Sequence, residues 1–467
     1  MGGPHLFLAA FLIGILFHSV FRYERVSSIL LLSIFLFLVF LVWRFPGKRR
    51  AGLVFVCFLF GFWRFDITIP SVSLQAALLE QEVSIQGVVG KKLSFWNVVD
   101  GRFAISGLQN VPLFSIVQVR CQLRRVPFSV GFDRRLWFAR QGIWFECTPK
   151  GEVFIRPPNQ WNVFLHLSRF REDMSMRIRH RFEATRAELL IGMLYGSPDF
   201  SVDDLEIFRR SGLMHLVAVS GSNISLVVVA SFAILLRMGF CRRHAFWLTT
   251  VSVLFYVCFV GFSASVLRAA LMAWLSVFGR DRGRLVHSGV LLLSCAVLLT
   301  IWNPWQLLFD PGFVLSFLAM IGLFGLARPF QDIFSWIPEK AGLRETVCMT
   351  LAATAMTSPY LAYVFGQWSF AGLFTNLIAV PLVPWVMASG ACASVIDEGL
   401  VGDACQQAAH GFLSIIYGVA TRFASVPGLS GRIQFSLWLM LFVYALLFVW
   451  MWRLKKSFPQ VDDKSVY

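Results

Sequence analysis

Charged side chains are scarce in this sequence, because Asp, Glu, Lys and Arg together make up only 15% of its 467 residues. Soluble domains carry about a quarter charged residues, so an ordinary soluble enzyme is excluded. Hydrophobic residues account for 57% of the chain, and its mean hydropathy is +0.68. Surplus apolar residues must be covered by lipid. The same composition excludes a disordered chain, a coiled coil and a disulfide-rich secreted module.

Acidic residues are scarcer than basic ones. There are 26 Asp and Glu against 42 Lys and Arg, which gives a formal net charge of +16. A membrane protein with a basic excess either lies against anionic lipid or handles a polyanion. Composition alone does not separate these two partners.

Two apolar runs open the chain, at 6–21 and 28–43, and each is long enough with its flanks to cross a hydrocarbon core of about 30 Å. A third run at 51–63 is short, so it is either a tight span or a re-entrant segment. The loop before the third run has four basic residues and no acidic one, which places it in the cytoplasm by the positive-inside rule. If the third run spans, the chain after Arg64 emerges outside.

Residues 76–156 switch to short alternating segments broken by glycines, a pattern typical of β-strands. About five such strands predict a small external β-barrel of the OB type, which we place at 70–157. The segment 76–156 has 11 basic and 6 acidic residues, with aromatic residues interleaved. This combination binds single-stranded nucleic acid, although the aromatics could instead fill a small core. The DNA-binding candidates are Lys91, Lys92, Trp96, Arg102, Arg124, Arg125, Arg134, Arg135 and Arg140.

Most of the nine cysteines lie in or beside apolar runs, where a thiol behaves as a small hydrophobe. Cys121 and Cys147 fall instead in the β segment. An oxidising external compartment would permit a disulfide between them, and two free thiols are the alternative.

The segment 158–212 predicts amphipathic or interfacial helices. Within it, apolar residues recur at three- and four-residue spacing over 162–184, and arginines fill the remaining positions. Such a helix lies in the headgroup plane with its arginines on lipid phosphates. Alternatively, it forms part of a basic vestibule.

Dense hydrophobicity returns over 213–456, which we interpret as a transmembrane channel domain. Its candidate spans are 213–236, 245–262, 264–279, 285–302, 312–328, 345–365, 369–388, 404–423 and 435–452. Together with the helices of 1–65, they predict a polytopic α-helical membrane protein with about 11–12 membrane segments, some re-entrant or broken. Basic residues after the last span place the carboxyl terminus, with a tail at 457–467, in the cytoplasm.

Proline-containing breaks interrupt or edge several of these runs. They occur at Asn303-Pro304, Asp310-Pro311-Gly312, Ser358-Pro359, and Pro381 with Pro384. Broken backbone at membrane depth is tolerated only where it is buried in protein or lines a water-filled path. The breaks therefore favour a conduit over an inert anchor. We expect Asp310 to be a structural cap or an ion partner rather than a catalytic acid.

The most unusual stretch, 201–227, places polar groups inside an apolar run. Ser201 and Asp204 predict a capping box that opens a short helix, and Gly212 is placed to end it. A polar cluster at membrane depth is a functional candidate by default. The residues predicted to line or shape a channel are His215, Ser220, Gly221, Ser222 and Asn223, together with Arg268 from a later apolar run.

This stretch resembles the hallmark of the ComEC family, the membrane proteins through which naturally transformable bacteria import DNA. The family pattern is matched at Phe208, Ser211, Gly212, His215, Leu216, Ala218, Ser220 and Gly221. Asn223 stands where the family usually has a second histidine. Further matches are Gly192–Ser197, Arg268 with Ala269 and Met272, Asn303 with Pro304, Gly312–Phe317, Pro359, and Asn376 with Pro381.

The resemblance implies a channel that translocates single-stranded DNA into the cytoplasm during natural transformation. It implies a multi-pass protein of a bacterial inner or plasma membrane, with the OB-like β domain outside. The implied partners are single-stranded DNA, membrane lipid, a separate DNA receptor, a nuclease and a cytoplasmic ATP-driven motor. We expect no cofactor, no metal and no enzymatic activity.

Two absent motifs underlie the last expectation. Many members of the family carry a metallo-β-lactamase-like nuclease, which requires a His-x-His-x-Asp-His zinc cluster. No two of the eight histidines in this chain lie within two residues of each other. A Walker A signature is also missing, because Gly47-Lys48 lacks the upstream glycine. We therefore expect a form of the family without the nuclease, in which cleavage and ATP hydrolysis belong to partners.

Two alternatives remain open. An intramembrane serine hydrolase could use Ser220 as nucleophile and His215 as base, but on one continuous helix the two would lie about 140° apart, at about 100° per residue. A transporter of a lipid or a small anionic substrate, without a DNA role, is the second alternative. It fits the basic excess about as well as DNA does.

Overall fold

The computed structural model describes residues 4–21, 49–69, 82–93, 96–106, 111–126, 138–159, 161–196, 198–217, 219, 221–261, 264–281, 288–339, 342–396 and 399–457. The chain divides into two compact units. The first comprises Met1–Arg169 and Leu285–Val314, and the second comprises Phe170–Arg284 and Leu315–Tyr467.

The helices of the first unit are α1 (Pro4–Phe21), α2 (Arg49–Asp66), α9 (Ser288–Trp302) and the short α10 (Gln306–Phe309). Helix α2 extends the predicted run at 51–63 to a continuous helix of 18 residues. The backbones of α1 and α2 are in contact at Gly14 and Gly61. A β-carbon on either glycine would collide with a carbonyl oxygen of the facing helix. Small residues allow this close approach between apolar helices. The predicted run at 28–43 lies outside the described residues.

The β segment of the first unit forms a small closed barrel. Its strands are β1 (Glu82–Leu93), β2 (Trp96–Val99), β3 (Phe103–Ser106), β4 (Ile116–Arg125), β5 (Phe145–Pro149) and β6 (Phe154–Arg156). The strand order is β1-β2-β3-β5-β4, and β4 pairs back with β1 to close five strands, while β6 extends β4. Strands β3 and β5 are parallel, and the other pairs are antiparallel. The prediction of a barrel of about five strands is confirmed.

Alternating side chains fill the interior of the barrel. Val117, Val119, Cys121 and Leu123 of β4 are buried, and so is Cys147 of β5. Cys121 and Cys147 are joined in a disulfide with a Cα–Cα distance of 5.3 Å. The bridge therefore lies within the core of the barrel and ties β4 to β5.

The segment after α9 holds the barrel against the helices of the first unit. Asn303 Nδ2 donates to the carbonyl oxygen of Arg140 at 2.8 Å. Arg140 Nη1 lies 3.1 Å from Asp310 Oδ1, which also accepts the backbone N–H of Gly312 at 2.9 Å. The prediction that Asp310 is a cap and ion partner is confirmed. The breaks at Asn303-Pro304 and Asp310-Pro311-Gly312 are thus occupied by protein contacts, one of the two alternatives for broken backbone.

The second unit is helical. Helix α3 (Val163–Arg181) begins in the first unit and ends in the second, and α11 (Pro311–Ile333) also crosses the boundary. The remaining elements are α4 (Ala184–Tyr195), α5 (Val202–Arg210), α6 (Gly221–Arg237), α7 (Arg242–Val260), α8 (Ala264–Asp281), α12 (Leu343–Val364), α13 (Ala371–Val395), α14 (Leu400–Ala424) and α15 (Leu437–Ser457), with a two-stranded sheet of β7 (Gln367–Ser369) and β8 (Ser430–Arg432).

Within the described residues, five helices are long and apolar enough to cross a membrane, namely α7, α11, α12, α13 and α15. Four shorter apolar helices accompany them, at His5–Val20, Asn223–Arg237, Val266–Leu275 and Gly289–Trp302. The larger predicted number of 11–12 segments therefore stays a prediction.

Proline does not break the later helices at the predicted positions. Pro359 lies inside α12, and Pro381 and Pro384 lie inside α13, which runs for 25 residues. Proline removes one backbone donor but a helix among other helices can continue past it. The predicted breaks at these three positions are wrong.

Candidate functional site

The candidate site begins with helix α5, which is capped at both ends. The Ser201 hydroxyl accepts the backbone N–H of Asp204 at 3.1 Å, which confirms the predicted cap. At the other end, the backbone N–H of Leu213 donates to the carbonyl oxygen of Phe208 at 2.9 Å. Gly212, with φ +76°, supplies the left-handed residue that this Schellman turn requires. Gly212 therefore ends α5, as predicted.

The prediction of one continuous span over 213–236 is wrong. Met214–Leu216 form a short 3₁₀ turn, and α6 begins only at Gly221. The apolar run is thus a turn followed by a helix, because backbone hydrogen bonds rather than hydropathy decide where a helix starts. Ser220 lies outside the described residues, and so does the side chain of Ser222.

Residues beside and within α13 hold the end of α5. Thr375 Oγ1 is buried and donates to the carbonyl oxygen of Ser211 at 2.8 Å. Ser369 donates its hydroxyl to the carbonyl oxygen of Arg210 at 2.7 Å. Carbonyl groups at a helix end lack partners in their own helix. The turn after α5 is therefore fixed by an element far away in sequence.

Helix α4 holds the first turn of α6. Asn223 is 2% exposed, and its Nδ2 donates to the carbonyl oxygen of Met193 at 2.9 Å. Gly192 touches the backbone of the turn at Val217, where a β-carbon would collide with the carbonyl oxygen. The amide of Asn223 is thus used to join α6 to α4.

Arg268 lies beside the amino end of α6. A β-carbon on Gly221 would be 3.0 Å from Arg268 Nη2, so Gly221 leaves room for the guanidinium. The Cζ atom of Arg268 lies 6.0 Å from the centroid of the Phe317 ring, and the residue is 9% exposed. The amino end of a helix carries about half a positive charge. Two positive features therefore meet here, which favours an anion at this position.

His215 lies in the 3₁₀ turn and is exposed. Its Nδ1 is 3.2 Å from the carbonyl oxygen of Gly212, and a carbonyl can only accept, so Nδ1 donates. The angular argument against a Ser–His pair assumed one continuous helix over 213–236, and it does not apply because α6 begins at Gly221. The described part of the chain brings Gly221, Asn223 and Arg268 together around the start of α6.

The barrel candidates fall into three groups. Arg102 and Arg124 are exposed. Arg140 pairs with Asp310, so its charge is used inside the first unit. The remaining candidates have side chains outside the described residues: Lys91, Lys92, Trp96, Arg125, Arg134 and Arg135.

A polar groove on the barrel was missed by the sequence prediction. It has a volume of about 450 Å³ and lies between β4 and the turn after β5. Its lining residues are Ser84, Gln118, Val119, Arg120, Lys150, Gly151, Glu152 and Phe154. Lys150 Nζ lies 3.0 Å from Glu82 Oε1. The alternation of Gln118 and Arg120 with buried valines was the signal that could have revealed this face.

Comparisons with known proteins give a consistent result. A family model described as "Competence protein" matches residues 195–457. ComE operon protein 3 of Bacillus subtilis (strain 168) is 31% identical over 199 residues, covering 42% of this chain and 25% of the relative. Competence protein ComA of Neisseria gonorrhoeae is 27% identical over 202 residues, covering 39% of this chain and 26% of the relative. No solved structure matches the chain.

Recombination protein 2 of Haemophilus influenzae is 23% identical over 311 residues, covering 61% of this chain and 36% of the relative. The matched regions thus span about a quarter to a third of the curated relatives. The family model covers more than half of the chain, including α5, the turn and α6. The chain belongs to the competence protein family of ComEC.

Proposed function

We propose that the protein is a membrane channel that translocates single-stranded DNA into the cytoplasm during natural transformation. The observation that carries the proposal is the family match over 195–457, since its relatives are named as competence and recombination proteins. A role in DNA uptake follows from the family. Single-stranded DNA as the cargo and the chain itself as the channel are the further steps that we propose.

The start of α6 supports a polyanionic cargo. Arg268 and the amino end of α6 at Gly221 add positive potential to a turn held by α4 and α13. A translocating strand loses phosphate hydration, and helix ends and a guanidinium replace it transiently. We assign this role to Arg268 and the α6 amino end, with His215, Ser220, Ser222 and Asn223 shaping the narrow part.

The barrel supports a DNA receiver ahead of the channel. Its closed five-strand order, with β3 parallel to β5, fits the OB-like assignment. Exposed Arg102, Arg124 and Arg120 supply sequence-independent attraction for phosphate. We place the barrel outside the membrane, which also suits the Cys121–Cys147 disulfide.

The apolar helices and the family indicate a multi-pass membrane protein. We propose an inner or plasma membrane location with the carboxyl terminus in the cytoplasm, on the basis of Arg453, Lys455 and Lys456 after the last span. A separate DNA receptor, a nuclease and an ATP-driven motor complete the machinery as partners, and we assign no enzymatic activity to the chain.

Changing Arg268 to Gln is expected to lower the transformation frequency of the native host roughly tenfold to a hundredfold, because hydrogen bonds to a charged group contribute about 1.5–3 kcal/mol. Arg268→Lys keeps the charge and should retain part of the activity. Transformation frequency and membrane protein level are measured together. Arg237→Gln, an exposed change at the end of α6, is the matched control and should have no effect. Normal uptake with the Arg268→Gln protein would contradict the anion role.

The whole chain in phosphatidylcholine nanodiscs is expected to bind a fluorescent oligothymidine with an affinity that falls steeply with salt. For about four contacted phosphates, the affinity should drop roughly fiftyfold between 50 and 200 mM salt. Changing Arg102 and Arg124 together to Gln should reduce the logarithmic salt slope by about 1.4, or about 0.7 per phosphate. Fluorescence anisotropy measures both. Salt-independent or absent binding favours the lipid or small-anion transporter instead.

A further inference from the structure

Helices α13 and α14 form a hairpin that carries two cysteines at its closed end. Cys392 lies in the last turn of α13, and Cys405 lies near the start of α14. Their Sγ atoms are 2.7 Å apart, about 0.65 Å longer than a disulfide bond of about 2.05 Å. Both residues are partly exposed. The backbones of the hairpin therefore already bring the two sulfurs close to bonding distance.

Neighbouring contacts hold this end of the hairpin in place. Arg181 Nη1 donates to the carbonyl oxygens of Ala393 and Ile396 at 2.6 and 2.8 Å. Gln406 Nε2 donates to the carbonyl oxygen of Arg181 at 2.9 Å. Both helices are thus hydrogen-bonded to Arg181 at the end of α3. On α14 the bond is one residue from Cys405, and beside the end of α13 the bonds are one and four residues from Cys392. These bonds hold the backbone beside each cysteine.

We propose that Cys392 and Cys405 form a redox modification site. The pair closes to a second disulfide by thiol–disulfide exchange with a separate oxidant molecule that contains a disulfide bond. One cysteine thiolate attacks the oxidant disulfide, releasing one thiol and forming a mixed disulfide. The second cysteine then attacks the sulfur of the first, forming the Cys392–Cys405 bond and releasing the other thiol. Two electrons pass to the oxidant, and the two cysteine protons leave with its two thiols.

A disulfide between Cys392 and Cys405 would restrain the α13–α14 hairpin, which contacts the candidate site. Thr375 of α13 holds the end of α5 through Ser211, and Tyr417 of α14 packs on Phe208 and reaches Asp204 Oδ1 at 3.4 Å. A cross-link between the two helices limits their separation in the unfolded chain and so stabilises the folded hairpin. This inference rests on the sulfur geometry alone and does not depend on the DNA function.

The whole purified protein, first reduced and then treated with glutathione disulfide, tests the proposal. After denaturation, alkylation and proteolysis, mass spectrometry should find the Cys392 and Cys405 peptides joined. At Cys392 and Cys405, both thiols should be alkylated in the reduced protein and neither should be alkylated after oxidation. Cys241 is exposed and its Sγ lies 3.0 Å from His244 Nδ1, so it serves as the internal control and should carry glutathione instead.

Two results would overturn the proposal: alkylation of both cysteines after oxidation, or glutathione bound to each. A second measurement uses Cys392→Ser and Cys405→Ser, in which oxidation should raise the midpoint of thermal unfolding by less than in the unchanged protein, because the Cys121–Cys147 bridge re-forms in all three. The peptide mapping needs no variant, so it decides the outcome even where a serine protein fails to accumulate.

Discussion

Replacing His18 with Leu is expected to destabilise the protein by about 1–3 kcal/mol, because the change removes one hydrogen-bond partner from a fully buried carboxyl group. His18 Nε2 lies 3.0 Å from Asp66 Oδ1, and both side chains are 0% exposed. The substitution leaves the Asp66 carboxylate in its buried position without this histidine. A buried polar group that loses a hydrogen-bond partner pays the desolvation cost of that group.

The surroundings of the pair leave it little room to adapt. The His18 ring packs against Phe62 and Phe65, with ring centroids 4.3 and 5.2 Å apart. Gly14 and Gly61 bring the backbones of α1 and α2 into contact just before the pair. A rigid, close helix pair cannot readily move to admit water to the carboxylate, so the cost of breaking the pair remains in the folded state.

The reverse change, Asp66→Leu, is also expected to destabilise the protein, because it removes the other partner of the same buried pair. The double variant should recover most of the stability, because two leucines replace a buried polar pair with apolar contacts. Thermal unfolding of the detergent-solubilised proteins gives the full double-mutant cycle. Additive losses in the double variant would show that the two side chains do not interact.

The barrel is the part of the fold that can be predicted best from the sequence. Val117, Val119 and Cys121 alternate with exposed Gln118 and Arg120, because successive side chains of a strand point to opposite faces. The strand pairings that close the barrel cannot be read from this alternation. The pairing of β1 with β4 and the parallel pairing of β3 with β5 depend on contacts between separate strands, which no local pattern records.

In the candidate site, too, local features could be predicted from the sequence and long-range contacts could not. The caps at Ser201 and Gly212 are predictable, because each depends on residues only a few positions away. The start of α6 at Gly221 is not, since hydropathy averages over the turn and the helix alike. The contact of Thr375 with Ser211 joins residues 164 positions apart and appears only in the fold. Sequence therefore identified the polar residues, whereas the structure assigned their partners.

Replacing Gly212 with Ala is expected to cause a large loss of stability and of transformation, because two separate penalties fall on one residue. Its φ of +76° lies in the left-handed region, which costs a non-glycine residue about 1–2 kcal/mol. In addition, a β-carbon would lie 2.7 Å from the Cα atom of Gly372 in α13. That neighbour is backbone, so the turn and α13 would have to move apart.

Gly239→Ala separates the two penalties. Gly239 has φ +87° but no atom within 4 Å of the position that a β-carbon would take. The control should therefore lose only the conformational term, so its thermal unfolding midpoint should fall less than that of Gly212→Ala and its transformation frequency should stay close to that of the unchanged protein. The excess loss at Gly212 measures the close approach to α13, which also carries the Thr375 bond to Ser211. Equal effects of the two substitutions would mean that the contact between the turn and α13 adds nothing to stability.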